Sequence, residues 1–479
     1  MHPLDLIMRL APPYRVHDTC GFLDRPAEAW EPGVPADPTR IHVDGRWIKD
    51  GQGRTLLLHG VNVSAAAKVP PHLPLTDPGH FRRLAAWGLN AIRLLVVWEA
   101  LEPERGRYNE TYLDAIVRLI EAAWAEGIFT VVDFHQDLFA RAFHGDGAPA
   151  WALPLRRWPP LHRNINWFFN YFDSHSVKEA FMRFWSNTDG IRDSYAALLA
   201  HVARRCARLP GVLGYDIMNE PMAPVRDVFT GRLDRDILPP FYRQMGQAIR
   251  AEDPHRLLFI EPGPIAAFSF PSLLTRRPLN MPNLVYAPHF YDQTVSTTRH
   301  FNGDLRNLIR SLNVMSHTAA RLGASLTIGE FGALNHPDNP RAFYAAQLAQ
   351  FDRYLVNWFA WNYTPCHVDW NREDASIVAP DGSERPPVAV IIRPYPRATA
   401  GTLHTVYYHA PTRDFLMAYR PMPGVTGPTE IFLPASRHYP DGFQVAVRGG
   451  DWMFDETREL LLVETDRRAT RCVVCVRRS

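Results

Sequence analysis

Two glutamates stand where chemistry is readily built. Glu220 lies in Asn219-Glu220-Pro221 and Glu330 in Gly329-Glu330-Phe331-Gly332, each just after a short apolar run. One carboxyl kept protonated near neutral pH can hand its proton to a leaving oxygen. A second, ionised, can attack the carbon or activate water. Cleavage of a glycosidic bond needs that division of labour between two carboxylates. A lone glutamate after a strand is usually half of an ordinary ion pair, but two in matched settings weaken that reading sharply. Other polar groups end similar runs: Arg93 within the second, Asp133-Phe134-His135-Gln136-Asp137 on the third, His289-Phe290-Tyr291 on the sixth, Trp361-Asn362 on the eighth.

The elements that must position these groups come in a regular rhythm. The strand candidates are Thr55–Val61, Ala91–Val97, Phe129–Phe134, Gly211–Ile217, Leu257–Ile260, Leu284–Ala287, Leu326–Gly329 and Trp358–Trp361. They are short, apolar and mostly unalternated, as strands covered on both faces are. Amphipathic stretches lie between them. Tyr112–Glu126 is the clearest, with Leu113, Ile116, Val117, Ile120 and Trp124 on one face. Ser194–Arg208 and Pro240–Ala251 behave alike. Repeated strand–helix units predict an α/β fold, a (β/α)8 TIM barrel, whose chemistry sits at the carboxyl ends of its strands.

One connection is long. Residues 138–193 follow the third strand and carry Trp151, Trp158, Trp167, Phe168, Phe169, Tyr171, Phe172, Phe181, Phe184 and Trp185. This insert either packs on itself or forms an apolar lid or groove beside the site. Residues 1–40 read as an irregular lead-in, and Ile41–Leu58 as a hairpin of two runs around Lys49–Gly53. The barrel is expected over 41–384. Pro386–Pro396 reads as a proline-rich linker, and the alternating runs after it, without evident helices, predict a C-terminal β-sandwich over 385–479.

Composition sets the outer limits. The 479 residues include 52 basic and 50 acidic ones, a net charge of +2, which argues against nonspecific nucleic-acid binding and a polybasic anchor. Cys20, Cys206, Cys366, Cys472 and Cys475 form no disulfide framework, and the Cys472/Cys475 pair has no second pair to complete a zinc site. The histidines have no ligand-like spacing, so neither metal nor cofactor is expected. The first residues lack the uninterrupted apolar run of a signal peptide, and no stretch is long enough to span a membrane. The expectation is a cytoplasmic protein.

The segments GLNAIRL, DFHQD, NEP, PHFY, IGEFG and WFAWNY together resemble glycoside hydrolase family five. LHGVNVSAAAKVPP, FHQDLFAR and the C-terminal strands are most similar to its endoglycoceramidase branch, which includes relatives acting on glucosylceramide or steryl glucosides. The resemblance implies that Glu220 is the acid/base and Glu330 the nucleophile. It implies that Asn219 bonds the sugar 2-hydroxyl, Tyr291 orients Glu330, and Arg93 keeps Glu330 ionised. His135 and His289 would line the sugar site, Trp361 would lie under the sugar, and Lys68 and Asp137 would contact its hydroxyls. Lys68 stands out because the only lysines are Lys49, Lys68 and Lys178 in an arginine-rich chain. Asp133 reads as a supporting group, and Glu261, after the fifth strand, as a further carboxylate near the mouth.

The expected activity is retaining hydrolysis of a glycolipid-type β-glycoside, such as glucosylceramide, an oligosaccharyl-ceramide or a steryl glucoside. Peripheral contact with membrane lipid fits that substrate; no nucleic-acid or protein partner is expected. Two other readings stay open: an endo-β-glucanase or β-mannanase on polysaccharide, and a noncatalytic carbohydrate- or lipid-binding barrel.

Overall fold

The computed structural model describes residues 40–154, 156, 159–333, 335–466 and 468–479. The lead-in, with Cys20, and Trp158 of the insert lie outside the described residues, apart from Arg40. Among the described residues the barrel strands are β1 (His59–Val63), β2 (Ala91–Val97), β3 (Phe129–His135), β4 (Val212–Asp216), β5 (Leu257–Ile260), β6 (Leu284–Tyr286, resumed at His289–Tyr291), β7 (Ser325–Gly332) and β8 (Asn357–Tyr363). Neighbours pair in parallel from β1 round to β8, and β8 pairs with β1, closing the ring. β2, β4, β7 and β8 are buried at every position, which is why they read as unbroken apolar runs. Ala91, Val131, Leu213, Leu257, Phe259, Val285 and Phe359 cluster in an apolar core.

Several sequence expectations shift. β6 is interrupted because Pro288 has no N–H to give to the ladder. β7 runs on to Gly332, so Glu330 lies within the strand rather than after it. The helix expected at Tyr112–Glu126 spans Glu110–Ala125, and the Asn109 side chain caps it by accepting from the Tyr112 N–H. Its buried stripe is Leu113, Ile116, Leu119, Ile120 and Ala123. Trp124 is exposed instead, its ring tilted against that of Phe129.

The N-terminal hairpin has two turns, not one. His42–Asp44 and Trp47–Lys49 pair around Gly45, whose φ of 59° suits glycine, and a second turn at Asp50–Gly53 leads to Thr55–Leu56. These three strands continue into a seven-stranded sheet with Tyr395–Thr399, Thr429–Phe432, Leu460–Thr465 and Gly450–Asp455. The proline-rich stretch is therefore no linker: it holds a short helix, Val388–Ile391, and enters the sheet at Tyr395. A second sheet of four strands comprises Gly401–His409, Asp414–Pro421, Cys472–Arg478 and Phe443–Arg448. Another short helix, Ala435–His438, lies among these strands, where no helix was expected. Tyr395 stacks on His59 at 3.7 Å and donates to the Gly88 carbonyl at 2.6 Å. Arg393 forms a buried ion pair with Asp352, so the sandwich is seated on the barrel.

The long insert packs inward. Phe139 meets Phe181 at 5.0 Å, Trp185 meets Phe241 of the helix Leu238–Glu252 at 5.1 Å, and Trp167 meets Trp370 at 4.9 Å. Leu161 and Met182 face solvent. Among the described residues no helix is long and apolar enough to cross a membrane.

Candidate active site

Register assembles the centre. Asn62 on β1 is the lateral partner of Arg93 on β2, Asp133 on β3 that of Asp216 on β4, and His289 on β6 that of Glu330 on β7. Arg93, 1% exposed, is the hub. Its Nε donates to Asp216 at 2.8 Å, one terminal nitrogen to Glu330 at 2.8 Å and Asn62 at 3.0 Å, and the other to Asp133 and Asn219, both at 2.9 Å, and Glu261 at 3.1 Å. Burial opposes its charge, but the carboxylates of Asp133, Asp216, Glu330 and Glu261 outweigh burial and hold it well above its ordinary value.

Glu330 is 4% exposed. One carboxylate oxygen accepts from Arg93 and the other from the Tyr291 hydroxyl at 2.7 Å. Glu220 is half-buried, and Nδ1 of His289 lies 2.9 Å from its carboxylate and 3.5 Å from that of Glu330. Ligand-type atoms of Glu220, His289 and Glu330 all fall within 4.8 Å of one another. This is the short spacing of retaining carboxyl pairs; inversion leaves about 6.5 Å or more for a water molecule.

The Glu220 backbone is itself held. Its φ of 41° is in the left-handed region, a conformation that costs about 1–3 kcal/mol outside glycine. Its N–H donates to Glu261 at 2.9 Å, and the Gln136 side chain donates to the carbonyls of Asn219 and Glu220 at 2.8 and 2.9 Å. Burial pushes the Glu261 carboxyl up to about 8; His289 pulls it down, Asp216 adds to the rise, and Arg93 opposes it. For His289, burial works against the imidazolium, but Glu261 and Glu330 prevail and raise it well above the usual histidine range.

A second cluster adjoins the first. The Lys68 ammonium donates to Asp137 at 2.7 Å and lies 4.5 Å from the Trp361 ring centre and 3.9 Å from that of Trp370. His135 lies nearly parallel to Trp361 at 5.5 Å, with Nδ1 2.7 Å from Asp133. Burial disfavours its charge, yet Asp133 and Asp137 push it up to about 10. Lys68 and His135 hold Asp137 below the ordinary carboxylate range despite burial.

Glu220, Glu330, Arg93, Asn219, His289 and Tyr291 thus converge in one cluster, and Lys68, His135, Asp137 and Trp361 in the adjoining one. Asp133 is a support between Arg93 and His135, and Glu261 backs Glu220. Sequence reasoning passed over Asn62, Asp216, Asp146, Trp370 and Glu373, and gave Gln136, noted at the end of the third run, no role. An aspartate inside the apolar run GVLGYDI marked Asp216, since a barrel strand admits a charge only with a partner. Glu373 and Asp146, on loops, carried no such mark. The two carboxylate-rich groups, Glu220/His289/Glu330 and His135/Asp137/Asp146, have metal-like spacing; Glu330 already faces Arg93 and His289, and Asp137 faces Lys68, whereas both Asp146 carboxyl oxygens are buried without a hydrogen-bond partner among the described residues.

A (β/α)8 barrel with two glutamates opposed at the carboxyl ends of β4 and β7 defines a barrel glycoside hydrolase. The chain belongs to glycosyl hydrolase family 5: residues 50–367 match the family described as Cellulase (glycosyl hydrolase family 5), and residues 393–476 its C-terminal domain. The chain is 30% identical over 439 residues to endoglycoceramidase I of Rhodococcus hoagii (strain 103S), covering 87% of this chain and 84% of that one. It is 32% identical over 241 residues to a glucosylceramidase of Rhizopus delemar, covering 38% of this chain and 35% of that one. A solved structure of endo-glycoceramidase II from Rhodococcus sp. in complex with ganglioside GM3 superposes with a TM-score of 0.78 at 27% identity, over 91% of this chain and 100% of that one.

Proposed function

We propose that the protein hydrolyses a β-linked glycolipid with retention, Glu330 acting as nucleophile and Glu220 as acid/base. The observation that carries this is the opposed pair itself. One carboxylate is deeply buried, beside Arg93 and hydrogen-bonded by Tyr291; the other is partly open to water and within 4.8 Å. Glu330 attacks the anomeric carbon while Glu220 protonates the departing oxygen, leaving a glycosyl ester on Glu330 and a free alcohol. Glu220 then takes a proton from water, which attacks the same carbon, releases the sugar and frees Glu330. Asn219 holds the 2-hydroxyl, Trp361 underlies the sugar, His135 and His289 line it, and Lys68 and Asp137 meet its outer hydroxyls.

A lipid aglycone accords with the relatives, whose names specify ceramide glycosides. It also accords with exposed Leu161 and Met182 on the insert, Phe229 after β4 and Leu273 after β5. Each methylene buried against such side chains contributes about 0.8 kcal/mol. Contact of these loops with membrane lipid is part of the same reading. Residues 41–384 hold the catalytic barrel, and residues 385–479, joined in one sheet by the strands of residues 42–56, stabilise it.

A product assay tests this on glucosylceramide, lactosylceramide, a steryl β-glucoside and carboxymethylcellulose in mild detergent, with Glu330→Gln as control. Free sugar plus intact ceramide or sterol, absent with the variant, is expected. Turnover of the cellulose derivative alone would discard the lipid substrate and keep the two-glutamate chemistry.

A further inference from the structure

Glu373 is a buried carboxylate that the two-glutamate chemistry leaves unused. It sits on the loop after β8, where Asn371 and Arg372 both have positive φ, 49° and 56°. Its side chain is only 6% exposed. Oε1 accepts the indole N–H of Trp361. Oε2 has no hydrogen-bond partner among the described residues and lies 3.8 Å from the Lys68 ammonium, an ion-pair distance without a bond. The loop is pinned to the insert: Asn371 donates to the His144 carbonyl at 2.7 Å, and Trp370 donates to the Gly145 carbonyl at 3.4 Å and meets Trp167. A buried carboxylate oxygen left unbonded is unfavourable unless something else completes it.

A second orphan lies in the same chain of contacts. Among the described residues, His135 Nε2 is buried without a hydrogen-bond partner, 3.4 Å from the Asp137 oxygen that Lys68 holds at 2.7 Å. A waiting donor, His135 Nε2, and a waiting acceptor, Glu373 Oε2, therefore flank Lys68 beside the Trp361 ring, and the unbonded Asp146 carboxyl lies in the same cluster as His135. A polyol meets both demands, because each hydroxyl donates one hydrogen bond and accepts others. Neither orphan bonds to Glu220 or Glu330, so both are open to hydroxyls that the reacting pair does not hold.

We propose that Glu373 is a substrate-binding residue: its free Oε2 accepts a hydrogen bond from a hydroxyl on the far edge of the sugar above Trp361, and so selects the sugar. The proposal rests on Glu220 and Glu330 being the reacting pair. Its substrate class is a pyranoside bearing a free hydroxyl at that edge.

The test uses the full chain and aryl β-glucosides, either parent or 3-, 4- or 6-deoxy, comparing kcat/KM in the wild type, Glu373→Gln and Glu373→Asp. Gln keeps an acceptor for the Trp361 N–H but removes the charge; Asp keeps the charge and withdraws the oxygen by one methylene. In the wild type one deoxy substrate should lose about 10–100-fold relative to the parent, the effect of a hydrogen bond to a charged group. In either variant the parent should fall by a similar factor, and the penalty at that position alone should shrink below about threefold, as expected when both partners of one bond are removed. If Gln does not fold, the Asp variant carries the comparison. An unchanged deoxy pattern in a folded variant overturns the assignment, leaving Glu373 as a prop for Trp361. A wild type that cleaves no β-glycoside overturns the catalytic reading itself, and this assignment with it.

Discussion

Replacing Glu220 by alanine separates the two carboxyl roles most cleanly. Glu220 is the half-buried partner, with water on one side and His289 Nδ1 at 2.9 Å on the other. Its loss removes general acid catalysis, typically about 10²–10⁴-fold, or about 3–5 kcal/mol of barrier. That loss should fall on substrates whose departing alkoxide must be protonated, as a sphingoid or sterol alcohol must. A dinitrophenyl β-glycoside leaves unaided, so its first step should slow less than about tenfold, because Glu330, Arg93 and Tyr291 are untouched. The second step then limits, since no base activates water. Azide fits the vacated space beside the cationic His289 and needs no base. The assay is kcat/KM against leaving group, which reports the first step, together with kcat with and without azide and the configuration of the product by nuclear magnetic resonance. Acceleration by azide with a β-glycosyl azide product is expected; Glu330→Ala should give the α-azide. Equal losses of kcat/KM for both leaving groups, or an α-azide from Glu220→Ala, would refute the assignment.

Three further outcomes follow from the geometry. Tyr291→Phe removes the 2.7 Å bond to Glu330; a hydrogen bond to a charged group is worth about 1.5–3 kcal/mol, so kcat should fall about 10–150-fold with KM little changed, and a change under twofold would show the hydroxyl to be idle. His135 is pushed up to about 10 in the folded protein because Asp133 and Asp137 outweigh its burial. Its stabilisation is therefore full below the unfolded value of about 6.5 and lost as pH rises towards 10. Thermal melts of His135→Asn between pH 6.5 and 10 should show a shallower decline than the wild type, and equal slopes would contradict the coupling. Truncation after Glu384 strips Tyr395 from His59 and Arg393 from buried Asp352. An unpaired buried charge costs about 3–5 kcal/mol, so the shortened chain should be insoluble or inactive; a soluble barrel with normal kcat would deny the C-terminal strands their stabilising role.

Much of the barrel was legible because burial on both faces imposes a simple rule on composition. AIRLLVV and WFAWNY are strands since every position is covered, and Arg93 was conspicuous because a charge in such a run needs partners. Glu220 and Glu330 could be paired from local context, as both follow apolar runs and barrel chemistry gathers at strand ends. Local signals were weaker where pairing is distant. The hairpin His42–Lys49 reads as an appendage of the barrel, yet it extends a sheet whose nearest strand in the C-terminal region, Tyr395–Thr399, lies far along the chain. Trp124 follows helical periodicity but falls at the rim of the buried stripe.

The sequence by itself determined the fold class, the catalytic-type carboxyl pair and most of the polar groups around it, because each was written in residue type and short-range spacing. Only the tertiary structure decided which groups meet. Strand register set His289 beside Glu330 and Asn62 beside Arg93. Loop conformation, which no periodicity records, folded Glu373 back from the end of β8 onto Trp361 and towards Lys68, which follows the neighbouring strand β1. Burial then decided the charges: it pushes Glu261 up to about 8, while neighbouring carboxylates keep His135 cationic, a balance of desolvation against nearby charge that exists only once the chain is folded.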